Sequence, residues 1–214
     1  GLEVIRKLGG LGIPIFKPRV YNLDIIKRFK AAEDAGAIAV GIDIDAASFK
    51  TMTIKNQEVG PKSIDELRKL KSYLSVPFIL KGIMNVKSAH AAVEAGADAI
   101  VVSNHGGRVM DTMPGTAEVL PEIASAISGR VKILVDGGIR EGVDILKMLA
   151  LGADAVMIGR PICIAAFGAA QEGVEFYLNQ KRNELKKAMI LTGCPSIKNI
   201  DPSIIVRDSK GQLH

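Results

Sequence analysis

Tryptophan is absent from this 214-residue chain, and Phe and Tyr supply only 4% of it. So few aromatic faces cannot build a stacking platform for bases, and the Lys and Arg residues behind the net charge of +5 are scattered rather than gathered in a stripe. Nucleic acid is therefore excluded as a partner, and the basic balance suits anionic small molecules instead. Cysteine is equally scarce. Cys163 and Cys194 stand far apart with no CxxC spacing, which excludes a disulfide framework or a zinc site. Two reduced thiols in a cytoplasmic protein are the expected reading. No apolar run approaches the roughly 18 to 20 residues of a membrane helix. The opening GLEVIRKLGGLG has charges but no apolar stretch after them, so it is not a signal peptide, and no membrane partner is expected. An initiator Met is also missing, so the sequence is expected to be processed, trimmed or a fragment.

What is present suits one compact domain spanning 1–214, with 48% hydrophobic residues for its core. The chain repeats a unit: an amphipathic helix, a Gly-Ala turn, then a short apolar strand. AEDAGAIAVGIDID (32–45), AVEAGADAIVVSNH (92–105) and MLALGADAVMIGR (148–160) are plain instances. Gly36, Gly96 and Gly152 sit where the chain must leave a helix with φ > 0. The runs that follow are β-branched and lack polar alternation, as parallel strands buried on both faces do. Further strands are expected at Ile13–Phe16, Phe78–Lys81 and Lys132–Val135. Helices are expected near 22–35, 63–73, 86–95, 116–128, 142–151 and 174–191, with Ser63, Asn85 and Thr116 as N-caps and Glu118 and Glu122 adding charge to first turns.

About six β/α units follow. They predict an α/β fold of the (β/α)8 TIM-barrel type, incomplete, since such a barrel usually needs about 250 residues. A Rossmann-type sheet is the main rival, but no G-x-G-x-x-G follows an early strand. Two stretches break the rhythm, 46–62 and 104–115, and are read as long loops at the strand ends where barrels build their chemistry.

Charged and polar residues stand at almost every strand end. Asp45 follows IDI; Lys81 follows FIL; Ser103, Asn104, His105 and Arg108 follow AIVV; Asp136, Gly137, Gly138 and Arg140 follow ILV; Gly159 and Arg160 follow VMI. Singly, each reads as a turn, a cap or a surface group. Jointly, on one face of a barrel, they read as a site. The glycine turns at 137–138 and 159, each before a helix start, suit a phosphate held by backbone N–H groups, with Arg140 and Arg160 adding charge. His90 belongs to a surface-type helix and His214 is the last residue, so His105 is the natural general base. Arg108 is placed to hold a carboxylate, Asp45 to support His105, and Lys81 to stabilise a developing anion.

SNHGGRVMD (103–111), LVDGGIREGVDILKMLALGADAVMIGRP (134–161) and PFILKGIMN (77–85) closely resemble the FMN-dependent 2-hydroxy acid dehydrogenase/oxidase family, of the glycolate oxidase and lactate oxidase type. The similarity runs from about 11 to 200. It implies FMN as cofactor and a small L-2-hydroxy acid as substrate. It implies Lys81 at the flavin N1/O2 edge, Ser103 against the flavin, and His105 taking a proton as the α-hydrogen passes to flavin N5. Arg108 would clamp the substrate carboxylate and Asp45 would support His105. Asp136, Gly137, Gly138, Arg140, Gly159 and Arg160 would hold the ribityl chain and phosphate. A homo-oligomer is expected by the same resemblance.

The departures are specific. Lys17 and Arg19 stand where the family usually carries Gln and Tyr, and Asp43 where a flavin-contacting Thr is usual. The second arginine of many members has no match in 46–62. The pattern begins at what resembles the third strand, so strands 3 to 8 are expected here, and a six-stranded piece with two open edges is expected to need a further segment or a partner chain to close. Among rivals, barrels of the inosine-monophosphate dehydrogenase type need a Cys in the loop that here reads SNHGGR. The type 2 isopentenyl diphosphate isomerases lack the His-Gly-Gly-Arg pairing. A catalytically silent barrel fragment is the alternative of a different class.

Overall fold

The computed structural model describes residues 1–206. A short helix α1 (Leu2–Lys7) precedes six parallel strands alternating with helices. The order is β1 (Ile15–Phe16), α2 (Asn22–Asp34), β2 (Val40–Asp43), α3 (Lys50–Ile54), α4 (Ile64–Lys71), β3 (Phe78–Ile83), α5 (Val86–Glu94) and β4 (Ala99–Val102). Then come α6 (Thr116–Ala126), β5 (Lys132–Val135), α7 (Gly142–Ala150), β6 (Ala155–Val156) and α8 (Arg160–Leu191). The strands lie side by side in sequence order, β1-β2-β3-β4-β5-β6, every pair parallel. Each crossover therefore advances in one direction. A doubly wound sheet reverses direction at a switch point, so the Rossmann rival falls and the incomplete barrel stands. Among the described residues β1 pairs only with β2 and β6 only with β5.

Alternation along the strands gives the sheet two apolar faces. Val40, Ile42, Phe78, Leu80, Ile100, Val102 and Val135 face the helices and join Ile25, Phe29, Leu120 and Ile123 in the main core. Ile15, Ile79, Val101, Leu134 and Met157 belong to a second, inner cluster on the concave side. The period of two carries the inner face onward: 15 leads to Lys17, 41 to Asp43, 79 to Lys81, 101 to Ser103 and 134 to Asp136. Apolar residues fill the inner face, and polar ones close it at the C-terminal mouth.

The Gly-Ala turns behave as expected, with φ of +84° at Gly36, +82° at Gly96 and +108° at Gly152. The aspartates after two of these turns tie neighbouring strands: Phe78 N–H donates to Asp98 and Ile133 N–H donates to Asp154, at 2.7 and 2.8 Å. Burial opposes ionisation of Asp98, but hydrogen bonds from Lys71 and Phe78 outweigh it and hold its pKa below the usual carboxylate value.

Three expectations need correction, and one element was not expected. Thr116 is not an N-cap. Gly115 is, and Thr116 begins the helix with its hydroxyl donating to the Asp136 carbonyl at 2.7 Å. The stretch 46–62 is not all loop; it holds α3, and Arg19 bridges to Val59 across it. The last helix starts at Arg160 rather than 174 and is broken at Ala169 and Ala170. The N-terminal α1 left no sequence signal that was read. Ser63 and Asn85 do cap α4 and α5, Ser63 within a full capping box with Glu66. Ser63→Ala should therefore cost about 1 kcal/mol in a urea melt, with catalysis unchanged, because among the described residues the Ser63 hydroxyl bonds only within its own cap, to the Glu66 N–H. His214 lies outside the described residues.

Candidate active site

The strand ends converge on one buried polar cluster. His105 follows β4 in a left-handed backbone conformation, φ +57°, which few non-glycine residues adopt. Its N–H donates to Ser103 Oγ at 3.1 Å. Its ring turns back over the end of β2, where Nδ1 lies 3.0 and 3.2 Å from the two carboxylate oxygens of Asp45. An Nδ1 proton given to Asp45 leaves Nε2 as the free basic nitrogen, a tautomer inferred from these contacts. The edge of Phe49 meets the imidazole with ring centroids 4.5 Å apart.

Gly82 makes the close approach of Asp45 possible. It interrupts β3 with φ +102°, and a Cβ there would lie 2.6 Å from Asp45 Cβ. The register between β3 and β4 shifts at this point, between Lys81 and Ile83. A glycine inside a strand commonly marks such an irregularity or a close approach, and FILKGI carried that signal unread.

Lys81, 8% exposed, sits at the centre of the mouth. Its Nζ donates to Ser103 Oγ at 3.0 Å and lies 3.3 Å from Asp43 and 3.6 Å from Asp136. Asp43 also takes Lys17 Nζ at 2.5 Å and comes within 3.5 Å of His105 Nδ1. Lys17 and Asp43, two of the departures noted in the sequence, are thus partners of each other. Burial opposes the charge on Asp43, but hydrogen bonding with Asp45 and Lys17 and the charges of Lys81 and His105 prevail, so its pKa is lowered. Asp45 goes the other way: burial raises it, the His105 hydrogen bond pulls it down, and Asp43 beside it pushes it up again, leaving it above the usual value.

A cavity of about 270 Å³ opens in front of this cluster. Lys81, His105, Arg108, Asp136, Gly137, Gly138, Arg140, Gly159 and Arg160, all singled out in the sequence, line it. Asp45 and Ser103 stand behind His105 and Lys81 rather than on the wall. A second cavity, about 440 Å³, shares Gly106, Gly137, Gly138 and Arg160 with it. Arg108 lies over the Phe49 ring, 5.2 Å from its centroid, and Lys17 is 5.1 Å from the same centroid. Phe49 is the lone aromatic in 46–62. Nothing in the sequence says which residue of that stretch turns inward.

The two helix starts by the cavity differ. At α7, the N–H groups of Arg140 and Glu141 donate to Asp144 and that of Gly142 donates to Glu184, so this terminus is already satisfied. At α8, no side chain caps Gly159, and Arg160 lies at the first position. An anion at this face therefore has the α8 start and the arginines to meet it. Asp136 adds an independent sign of a ligand: its Oδ1 is buried with no hydrogen-bond partner among the described residues. A hydroxyl-bearing chain would satisfy that oxygen, and a phosphate would suit the α8 start.

Fold and site define an incomplete parallel α/β barrel with a buried His105–Asp45 pair at the strand-end mouth, beside a cavity lined by arginines and glycine turns. The chain belongs to the FMN-dependent dehydrogenase family, whose model matches residues 44–207. It is 42% identical over 178 residues to an L-lactate oxidase of Lactobacillus jensenii, covering 83% of this chain and 41% of that protein. It is 49% identical over 146 residues to a 2-hydroxyacid oxidase of Dictyostelium discoideum, covering 68% of this chain and 38% of that one. The crystal structure of a mandelate oxidase superposes with a TM-score of 0.87 at 34% identity, covering 94% of this chain and 66% of that chain. This chain thus spans about two fifths of the length of those two curated relatives. The cofactor named for the family, FMN, has a ribityl chain with hydroxyls and a terminal phosphate, and both fit the unpartnered Asp136 oxygen and the α8 start. Among the described residues no helix is long and apolar enough to cross a membrane.

Proposed function

We propose that this chain carries the catalytic face of an FMN-dependent enzyme that oxidises a small L-2-hydroxy acid to the 2-oxo acid. The observation that carries the reading is His105, 3.0 Å from Asp45 behind it, on the same cavity wall as Arg108 and the uncapped α8 start. When bound, FMN supplies the two-electron acceptor. The chain's own residues do the rest. Arg108 takes the substrate carboxylate and orients the α-carbon. His105 Nε2 removes the proton that accompanies the two electrons, and Asp45 stabilises the imidazolium that results. Lys81, held by Ser103 at 3.0 Å, would place its positive charge beside the bound ring and favour negative charge there. Asp136, Gly137, Gly138 and Arg140, with Gly159 and Arg160, hold the ribityl chain and phosphate.

The L-lactate and 2-hydroxyacid oxidase relatives support the general reaction. The test is an absorbance scan of the purified protein, followed by anaerobic addition of L-lactate, glycolate or L-mandelate. A flavin spectrum that bleaches with one of them is expected. A flavin that none of a panel of 2-hydroxy acids reduces would instead identify a silent barrel.

A further inference from the structure

Beneath His105 and Lys81 lies a pair that the reaction described above does not use. Lys17 leaves the end of β1 and Asp43 ends β2, both on the inner face of the sheet. Asp43 is 4% exposed and contacts Lys17 at 2.5 Å, Lys81 at 3.3 Å and His105 Nδ1 at 3.5 Å. A carboxylate this buried cannot act as a spectator charge, since little water screens its neighbours.

Every element packed against His105 contributes to the charge it meets. β1 gives Lys17, β2 gives Asp43, the turn after it Asp45, β3 Lys81 and β5 Asp136, while Arg108 in the loop after β4 lies over Phe49 and Arg140 and Arg160 stand across the cavity. Within the linked contacts there are two ammoniums and three carboxylates. One proton held among His105, Asp45 and Asp43 closes that count to zero. Lys17 and Asp43 cancel each other in it, so their joint removal leaves the balance as it was, whereas loss of either alone displaces it by one full charge close to the imidazole.

We propose that Lys17 and Asp43 are a charge-compensated positioning pair: Asp43 holds Lys81 and favours the protonated ring of His105, and Lys17 sets how strongly it does so. The pair acts through its contacts with His105 and Lys81 and carries no proton in the reaction itself. The inference rests on the proposed role of His105 as base, but its test does not require turnover.

The test is the pH titration of the labelled imidazole ring by NMR in the intact protein as purified. With only three histidines, His90, His105 and His214, the His105 signal is assigned by its loss in His105→Gln. Asp43→Asn should move the His105 midpoint down by about one pH unit or more, because an opposite charge within reach of the imidazolium is gone. Lys17→Met should move it up, because Asp43 then acts unopposed. The double variant Lys17→Gln/Asp43→Thr should return it close to its starting value. The acid limb of kcat/KM against pH should follow the same three directions. If Asp43→Asn does not fold, Lys17→Met decides the sign alone. Single variants that both move the midpoint the same way, a midpoint unmoved in Lys17→Met, or a double variant that does not recover, would overturn the pair. Opposite titration shifts in a protein that oxidises no hydroxy acid would keep the pair and sink the functional proposal instead.

Discussion

In His105→Gln, hydroxy acid oxidation is expected to fall by about 10² to 10⁴, the usual worth of a positioned general base. Bound flavin should be retained. The imidazole is one of thirteen residues lining the cavity, whereas the part proposed to hold FMN is built from Asp136 for the hydroxyl-bearing chain and from two arginines and the α8 start for the phosphate. Glutamine keeps a hydrogen-bond donor for Asp45 but has no basic nitrogen, so the variant separates proton removal from packing against Phe49. Anaerobic stopped-flow reduction of the flavin measures it directly. Substrate affinity should change little if Arg108 anchors the carboxylate. A variant that reduces its flavin at the parent rate would remove His105 from the reaction.

Gly82→Ala should damage both the fold and the site at the mouth. Two penalties coincide. The backbone there has φ +102°, which costs an L-residue roughly 1–3 kcal/mol. The new Cβ would also sit 2.6 and 2.7 Å from Asp45 Cβ and Cγ, so the carboxylate must retreat from His105. Displacement of a positioning group by about 1 Å can cost on the order of 10²-fold in rate. Gly129→Ala is the matched control. It also has positive φ, +70°, but a Cβ there meets nothing within 4 Å. The control should lose stability and keep turnover; Gly82→Ala should lose both. Denaturant melts and kcat, measured on the two variants side by side, separate strain from displacement. Equal turnover in the two would show that the approach of Asp45 to the strand is immaterial.

Most of the architecture was legible because its cause is local. Gly36, Gly96 and Gly152 announce helix exits, the β-branched runs after them announce buried parallel strands, and their repetition announces the barrel. The strand-end residues were legible for the same reason: His105, Lys81 and Asp136 follow directly on apolar runs. What escaped was long-range. Lys17 and Asp43 each look like an unexplained charge in their own segment, and only the side-by-side placement of β1 and β2 shows that one answers the other. Inner-face periodicity would have found them, since 15 and 17, and 41 and 43, share a face as 79 and 81 do. Phe49 and α3 were hidden because a five-residue helix has no periodic pattern to read. Thr116 has the residue type of a cap, but its hydroxyl is spent on the Asp136 carbonyl, twenty positions away. The glycines before α7 are legible as a turn, but not that the N–H groups of Arg140, Glu141 and Gly142 beyond them are taken by Asp144 and Glu184, which leaves Gly137 and Gly138 as the loop's proposed contacts.

Asp43 and Lys81 are also aligned residues in the ladder between the second and third strands, as Ile42 and Leu80 are. Sliding one strand past the other by a single position would set the buried ammonium beside an isoleucine and strand the carboxylate in hydrocarbon, a fault of several kcal/mol per ion. Apolar runs as uniform as these carry little other information about how they should line up. The charges at the mouth thus double as an assembly key: the chain cannot misalign its central strands without first giving up the machinery it was folding to make.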